Sequence, residues 1–184
     1  MSELVQDARP HGVTESSQEF AALWQALDTL TDPEIPVVTL REMGILRALR
    51  RGDDGCVEVV ITPTYSGCPA IDQIGDDIRA VLAAQGVAGR VVRQLDPAWT
   101  TDWMTEAARD KLRAYGIAPP HAHAGGGCTV ARFRRARPLP PDPVACPQCG
   151  SAHTAQISHF GSTACKALYR CLDCLEPFDY FKPI

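Results

Sequence analysis

Two cysteine pairs decide the fold of the last forty residues: Cys146-Pro147-Gln148-Cys149-Gly150 and Cys171-Leu172-Asp173-Cys174. A Cys-x-x-Cys pair chelates one metal ion from a tight turn, and glycine or proline lets backbone amides turn towards the sulfurs. The sequence therefore predicts one tetrahedral site whose ligands are Cys146, Cys149, Cys171 and Cys174. Zinc is the expected metal, and iron stays an alternative because four thiolates suit both ions.

The tail that carries these cysteines, residues 146–184, is too short to hold a core without a metal. We therefore expect a small zinc-ribbon domain in which the metal is structural. A fifth cysteine, Cys165, lies between the pairs and is followed by Lys166. Two roles stay open for it: a packed core residue, or a functional thiol near the metal whose pKa Lys166 lowers.

Residues 118–145 separate this tail from the rest of the chain. They contain three consecutive glycines, several prolines and four arginines between Arg132 and Arg137, a composition typical of a partly extended linker. Arginine runs of this kind are usually solvated, although an acidic partner could bind them.

Residues 15–117 predict a small α+β domain. Ser16 and Glu19 form a capping box before a helix over 17–30, and two prolines in 31–36 predict a loop. Later segments predict strands at 45–51, 56–62 and 90–95 and helices from Pro69 and over 101–115. The order αββαβα indicates a small mixed sheet with helices packed against it.

Cys68 is the thiol of greatest interest in this domain. It precedes Pro69 and so is the predicted N-cap of a helix, where the helix dipole favours the thiolate. Asp72 and the loop containing Asp32 and Glu34 would instead raise the pKa of the thiol, and a buried capping cysteine is the alternative role. Asp32 and Glu34 could be a general acid–base pair, but two acids separated by one proline are more often a solvated turn.

Composition excludes several functional classes. The net charge of -4 argues against nucleic-acid binding, and no apolar stretch approaches the roughly 20 residues of a membrane helix. We expect a reducing cytoplasm, in which the 8 cysteines serve metal binding, catalysis or packing instead of disulfides. The sequence lacks a Ser-His-Asp order, a phosphate-binding glycine loop and a His-Glu-x-x-His motif, so a hydrolase or kinase is not expected.

Five short runs carry a resemblance to a known family: 32–36, 43–45, 61–64, 66–69 and 96–100. Over about residues 15–117 the chain resembles SufT and the cytosolic iron–sulfur assembly proteins. The tail, through the cysteine pairs and the run 160–166, is similar to the ending of the PaaD family, the D proteins of bacterial phenylacetyl-CoA epoxidase systems. The two resemblances together span nearly the whole chain.

The resemblance implies an accessory role in aerobic phenylacetate degradation, with maturation of an iron–sulfur or iron centre in the epoxidase or its reductase component. It makes Cys68, with Asp32, the usual functional candidate, so we expect Cys68 to hold iron or an iron–sulfur unit transiently, flanked by Asp32 and Glu34. The ribbon is expected to dock on the client protein, and a homodimer stays open. No intrinsic catalysis is expected.

Two alternatives remain from the sequence. A thiol-dependent enzyme would use Cys68 as its nucleophile, but the five histidines lie outside the domain's core, at His11, His121, His123, His153 and His159. A docking component of the epoxidase complex would need neither metal transfer nor catalysis.

Overall fold

The computed structural model describes residues 20–120 and 143–184, here called the amino-terminal part and the tail. Several predicted features lie outside these residues: the capping box of Ser16 and Glu19, most of the linker, His11, His121, His123, and the arginines from Arg132 to Arg137.

The first helix of the amino-terminal part is α1, Ala21–Leu27, which buries Leu23 and Leu27. A hairpin of β1, Thr31–Asp32, and β2, Ile35–Thr39, follows where a loop was predicted. That prediction was wrong in detail, because the Asp32 carboxylate accepts hydrogen bonds from the amides of Glu34 (2.8 Å) and Ile35 (3.0 Å) and so closes a tight turn around Pro33.

The central sheet has the order β3-β4-β5. Strands β3, Leu46–Arg51, and β4, Val57–Ile61, are antiparallel, whereas β5, Gly89–Arg93, is parallel to β4. Helix α2, Ala70–Ala84, makes the crossover between the parallel strands. The predicted mixed sheet of an α+β fold is confirmed.

Helix α2 packs on this sheet because its apolar residues recur at helical spacing. The buried residues of that face are Ala70, Ile71, Ile74, Gly75, Ile78 and Leu82.

The single helix predicted over 101–115 is divided in two. A short 3-10 helix, Thr101–Trp103, comes first, and α3, Glu106–Ala114, follows. The hydroxyl of Thr100 accepts a hydrogen bond from the Asp102 amide, and that of Thr105 accepts one from the Ala108 amide at 3.1 Å. Each threonine caps its own helix, so the chain restarts the helix instead of continuing it.

The tail forms a second sheet with a strand of the amino-terminal part. Its order is β6-β9-β8-β7. The strands are β6, Ile117–Ala118; β7, Thr154–Ser158; β8, Lys166–Cys171; and β9, Pro177–Phe181. Strands β7, β8 and β9 are antiparallel, as in a ribbon, while β6 pairs in parallel with β9.

The tail and the amino-terminal part share a hydrophobic core. Phe181 is 1% exposed and packs near Trp99, with their ring centroids 6.0 Å apart. Cys165 is buried in the same cluster, and the Thr101 amide donates to the carbonyl oxygen of Ile184 at 3.1 Å. The tail therefore covers one side of the amino-terminal core as well as its own sheet.

Over residues 20–120 and 143–184, no helix combines the length and the apolar character that crossing a bilayer requires.

Candidate functional site

The four cysteines of the two pairs converge in the tail. Their sulfurs all lie within 4.8 Å of one another, with Cys146 and Cys174 separated by 3.7 Å and Cys149 and Cys171 by 3.6 Å. A tetrahedron of zinc–sulfur bonds of about 2.3 Å places its sulfurs about 3.8 Å apart. The donor set therefore fits zinc, and the geometry confirms the predicted metal site of four cysteines.

Two tight turns hold these sulfurs in place. Gly150 has φ +75° and donates its amide to the Cys146 carbonyl oxygen at 2.9 Å, and Leu175 takes φ +68° after Cys174. The Cys174 amide donates to the Cys171 sulfur at 3.4 Å, and this hydrogen bond helps to lower the pKa of Cys171 to about 6. The turn thus favours the thiolate at Cys171, whereas burial and the neighbouring thiols raise the pKa of Cys174 to about 12 despite the Glu176 amide. Metal binding must therefore displace protons from the other sulfurs.

His153 lies close to this centre without joining it. Its Nδ1 is 3.0 Å from an Asp173 carboxylate oxygen, and the ring is exposed. His153 is therefore an exposed neighbour of the metal centre and not one of its ligands.

A second group of chemically active side chains lies where the tail meets the amino-terminal part. We call it the junction cluster. It consists of Asp32, Glu34, Tyr65, Cys68, Cys165 and Lys166.

Asp32 and Glu34 come from the β1–β2 turn. Asp32 is 8% exposed, and burial raises the pKa of its carboxyl group. Hydrogen bonds from the amides of Glu34 and Ile35 and the charge of Lys166 lower this pKa, but burial has the larger effect. Burial and the neighbouring Asp32 raise the pKa of Glu34. The pair is thus a partly buried acidic group, and the predicted alternative of a merely solvated turn does not describe Asp32.

Cys68 lies just before α2, whose first helical residue is Ala70, one position later than predicted. The N-cap residue of α2 is Pro69, so the prediction of Cys68 as the N-cap was one residue off. Hydrogen bonds from the amides of Ala70 and Ile71 lower the pKa of the thiol. Burial has the larger effect, and with the charges of Glu34 and Asp32 it raises the pKa overall. The predicted effects of the helix amides and of Asp32 and Glu34 are therefore both present, whereas Asp72, which was also predicted to raise this pKa, pairs with Arg93 instead. The neutral thiol is the favoured state at pH 7.

Cys165 and Lys166 enter the junction cluster from the start of β8. They are 6% and 4% exposed. The Thr163 hydroxyl is 2.9 Å from the Cys165 sulfur, and the Lys166 ammonium lies 3.5 Å from an Asp179 carboxylate oxygen. Burial and the charges of Glu34 and Asp32 raise the pKa of Cys165 overall, although the Thr163 hydroxyl and, as predicted, the charge of Lys166 lower it. Cys165 is therefore a buried residue of the shared core that also lies within electrostatic reach of the two acids.

Sequence reasoning missed Tyr65 as a member of this group. Burial raises the pKa of its hydroxyl, and so do the thiols of Cys68 and Cys165 and the carboxylate of Glu34. Its place three residues before Cys68 was the available signal.

The possible ligand atoms of the junction cluster lie farther apart than those of the metal centre in the tail. Among the described residues, the four tail cysteines form a group of possible metal ligands whose sulfur atoms all lie within 4.8 Å of one another, and the junction cluster does not form such a group. The donors of the junction cluster are spaced more widely, which suits a group that binds a cation transiently better than a closed structural site.

Comparison with known families assigns both parts of the chain. Residues 21–94 match the family described as iron-sulfur cluster assembly protein, and residues 133–182 match the PaaD zinc beta ribbon domain.

Individual relatives agree with this division. A protein of Escherichia coli (strain K12), named as the D component of 1,2-phenylacetyl-CoA epoxidase, is 52% identical over 163 residues, 88% of this chain and 92% of the relative. An Fe-S protein maturation auxiliary factor of Porphyromonas gingivalis is 39% identical over 88 residues, 47% of this chain and 83% of the relative. The solved structure of a domain of unknown function, DUF59, from Bacillus anthracis is 26% identical with a TM-score of 0.45, covering 50% of this chain and 88% of that one.

Proposed function

The chain belongs to the PaaD family, the D proteins of phenylacetyl-CoA epoxidase systems, and from this we propose that it helps to mature an iron–sulfur or iron centre of that enzyme system. The family of the amino-terminal part and the maturation factor similar to it support an accessory, iron–sulfur-related role. The epoxidase or its iron–sulfur reductase is the proposed client.

One observation carries the proposal: a half-buried thiol, Cys68, lies within electrostatic reach of two acidic side chains, Asp32 and Glu34. Lys166, the positive neighbour of these two carboxylates, is shared with Asp179, and carboxylates that are only partly compensated at a partly buried site attract a cation. In our proposal Fe(II), or an iron–sulfur unit, is the cargo that they attract. On binding, the Cys68 thiol loses its proton and becomes a thiolate ligand.

The raised pKa of Cys68 suits this transient role. A thiol that is protonated at pH 7 binds a metal only by losing its proton. When the metal passes to a client, the thiol takes up a proton again. We assign Asp32 and Glu34 the role of attracting the cation and Cys68 that of binding it.

The zinc centre of the tail has a different role in this proposal. Zinc, when bound to Cys146, Cys149, Cys171 and Cys174, supplies a structural cross-link. The ribbon presents an outer surface with exposed apolar side chains, among them Ile157, Leu172 and Leu175, which we propose as the docking face for the client.

The alternative of a thiol enzyme is less well supported. A nucleophilic cysteine needs a lowered pKa or an adjacent base, whereas burial raises the pKa of Cys68 and the described members of the junction cluster include no histidine.

The experiment compares Cys68→Ser with Cys56→Ser in cells that grow on phenylacetate. Cys56 is a half-exposed thiol and so provides a matched control. We expect Cys68→Ser cells to grow poorly while soluble protein accumulates, because Cys68 is only half-buried and serine has a side chain of similar size.

The same cells provide the biochemical readout. Reductase purified from Cys68→Ser cells should contain less iron and acid-labile sulfide than reductase from Cys56→Ser cells. Equal contents in the two preparations, with normal growth, would exclude the proposed maturation role.

A further inference from the structure

The tail contributes a second thiol to the junction cluster. Cys165 follows Cys68 by nearly a hundred residues in the sequence, yet it is buried in the hydrophobic cluster of the amino-terminal part. Cys68 and Tyr65 pack against that same cluster. The two thiols are therefore brought into one region by the docking of the tail.

Three side chains, Glu34, Asp32 and Tyr65, interact electrostatically with both thiols. The charges of Glu34 and Asp32 act on Cys68 and on Cys165, and both thiols act on the hydroxyl group of Tyr65. Interactions of this kind weaken steeply with distance. Cys68 and Cys165 thus share their acidic neighbours as well as their apolar ones.

The backbone holds Cys165 firmly in this position. Its carbonyl oxygen accepts a hydrogen bond from the Lys182 amide at 2.9 Å, next to Phe181 in the core, and its sulfur lies 2.9 Å from the Thr163 hydroxyl. A thiol used only for packing needs no charged neighbours, whereas Cys165 precedes the buried Lys166 and lies within electrostatic reach of two carboxylates.

The balance of charge in the junction cluster leaves room for a cation. Lys166 is its one cationic member, and that ammonium is already 3.5 Å from Asp179. Within the cluster, the positive partner of Asp32 and Glu34 is therefore Lys166, which they share with Asp179. A divalent ion would compensate them, and a donor set of thiols with carboxylates suits a borderline ion such as Fe(II).

We propose that Cys68 and Cys165 bind the same Fe(II) ion, so that the tail supplies the second thiolate of a site on the amino-terminal part. This inference rests on the function proposed for Cys68. Binding forms two iron–sulfur bonds and releases two protons to solvent, and no electron is transferred. Asp32 and Glu34 compensate the charge of the ion, and Lys166 stays paired with Asp179.

The test uses the full-length chain with zinc already bound in the tail, under anaerobic conditions. Fe(II) is titrated in competition with a chromophoric chelator, while absorbance records the thiolate-to-iron charge-transfer band. Wild type, Cys68→Ser, Cys165→Ser and the control Cys56→Ser are compared. Zinc content and thermal unfolding show whether each variant is folded.

We expect wild type and Cys56→Ser to bind one Fe(II) with the same affinity. Cys68→Ser and Cys165→Ser should each weaken binding by at least about tenfold and reduce the charge-transfer band, because each removes a thiolate ligand. A variant that carries both Cys68→Ser and Cys165→Ser should lose the charge-transfer band entirely.

Two different failures can be told apart. Wild-type binding in Cys165→Ser together with weak binding in Cys68→Ser overturns this inference and leaves the proposed function of Cys68 intact. Absence of a thiolate band in wild type overturns both.

A second measurement covers the case in which Cys165→Ser does not fold. Wild-type protein is treated with a short reagent that joins two neighbouring thiols, and the peptides are mapped by mass spectrometry. We expect a cross-link between Cys68 and Cys165 that Fe(II) prevents. Its absence, while the tail cysteines remain protected by zinc, contradicts the inference.

Discussion

Glu42 links the end of β2 to α3 through its carboxylate. Its oxygens accept hydrogen bonds from the Thr39 amide (2.9 Å) and from the Lys111 ammonium (2.7 and 2.9 Å). Burial raises the pKa of Glu42, but the hydrogen bonds from Lys111 and Thr39 together outweigh it and hold the pKa below its usual range. The ionised form is therefore favoured in the folded protein.

This lowered pKa predicts a pH dependence for Glu42→Gln. A depressed carboxyl pKa contributes stability above the pKa of the unfolded chain, and the contribution is lost as the pH falls through the folded pKa. At pH 7 we expect the substitution to lower the free energy of unfolding by roughly 0.5–1 kcal/mol, since the pair is partly exposed. The difference from wild type should shrink towards acid pH.

The measurement is urea unfolding of both proteins at several pH values. Acid releases zinc from both proteins alike, so only the difference between them is compared. Glu106→Gln serves as the control, because that side chain is 78% exposed and lies 3.8 Å from Arg109. A difference for Glu42→Gln that stays constant with pH would contradict the assignment.

Single residues differ in how far the sequence could identify them. The four metal cysteines and Cys68 are marked by local patterns: paired spacing in one case and a proline after the thiol in the other. Lys166 and Tyr65 are marked only by their neighbours, and the meeting of Cys165 with Asp32 depends on contacts between distant parts of the chain. Local patterns carry no information about such contacts.

At the scale of elements, the β1–β2 hairpin shows the same limit. Two prolines in 31–36 correctly indicate an interruption, because proline donates no amide hydrogen bond. The Asp32 side chain, however, accepts from two amides and makes the interruption a tight turn between paired strands. The pattern predicted the break and not its geometry.

Zinc removal is predicted to unfold the sheet of the tail. The turn with Cys171 and Cys174 connects β8 to β9, the turn with Cys146 and Cys149 precedes β7, and the small core near the metal holds Phe178 and Tyr180. Metal binding by such modules is worth on the order of 10 kcal/mol, so its loss should exceed what this core can compensate. We expect Cys149→Ser to lose bound zinc and the near-ultraviolet circular dichroism of the tail tyrosines.

Cys56→Ser, which leaves the four ligands intact, is the matched control for this prediction. Native protein that contains neither zinc nor iron after gentle purification, with the tyrosine signal retained, would show that the metal is not structural.

At the scale of the whole molecule, Phe181 joins the tail to the amino-terminal part. We expect Phe181→Ala to lower the free energy of unfolding by about 3–5 kcal/mol, the usual cost of emptying a buried phenylalanine site. Because Trp99 lies 6.0 Å from Phe181, tryptophan fluorescence should report the loss as well.

Phe160→Ala separates this effect from the mere loss of an aromatic ring. Phe160 is 62% exposed and contacts the Lys182 ammonium, so its removal should cost no more than about 1 kcal/mol. Equal unfolding midpoints for the two variants in urea would show that Phe181 does not hold the two parts together.

The sequence could predict the mixed sheet and the cysteine-paired ribbon, since hydrophobic periodicity and cysteine spacing are local signals. It could not predict that β6 pairs with β9, because a strand of two residues has no recognisable period. Nor could it predict that Phe181 packs in the amino-terminal core and not in the core of the ribbon. Strand β9 has three aromatic residues among its five, and the sequence does not show which of them contacts which core.

The docking of Cys165 has a consequence for the timing of synthesis. Translation proceeds at about 5–20 residues per second, so the ribosome produces the tail thiol several seconds after Cys68. A nascent chain passes that interval with the amino-terminal acids and one thiol but without Cys165, Lys166 or Phe181. In our proposal, a nascent chain without Cys165 offers one thiolate at this site and therefore binds Fe(II) more weakly than the folded protein.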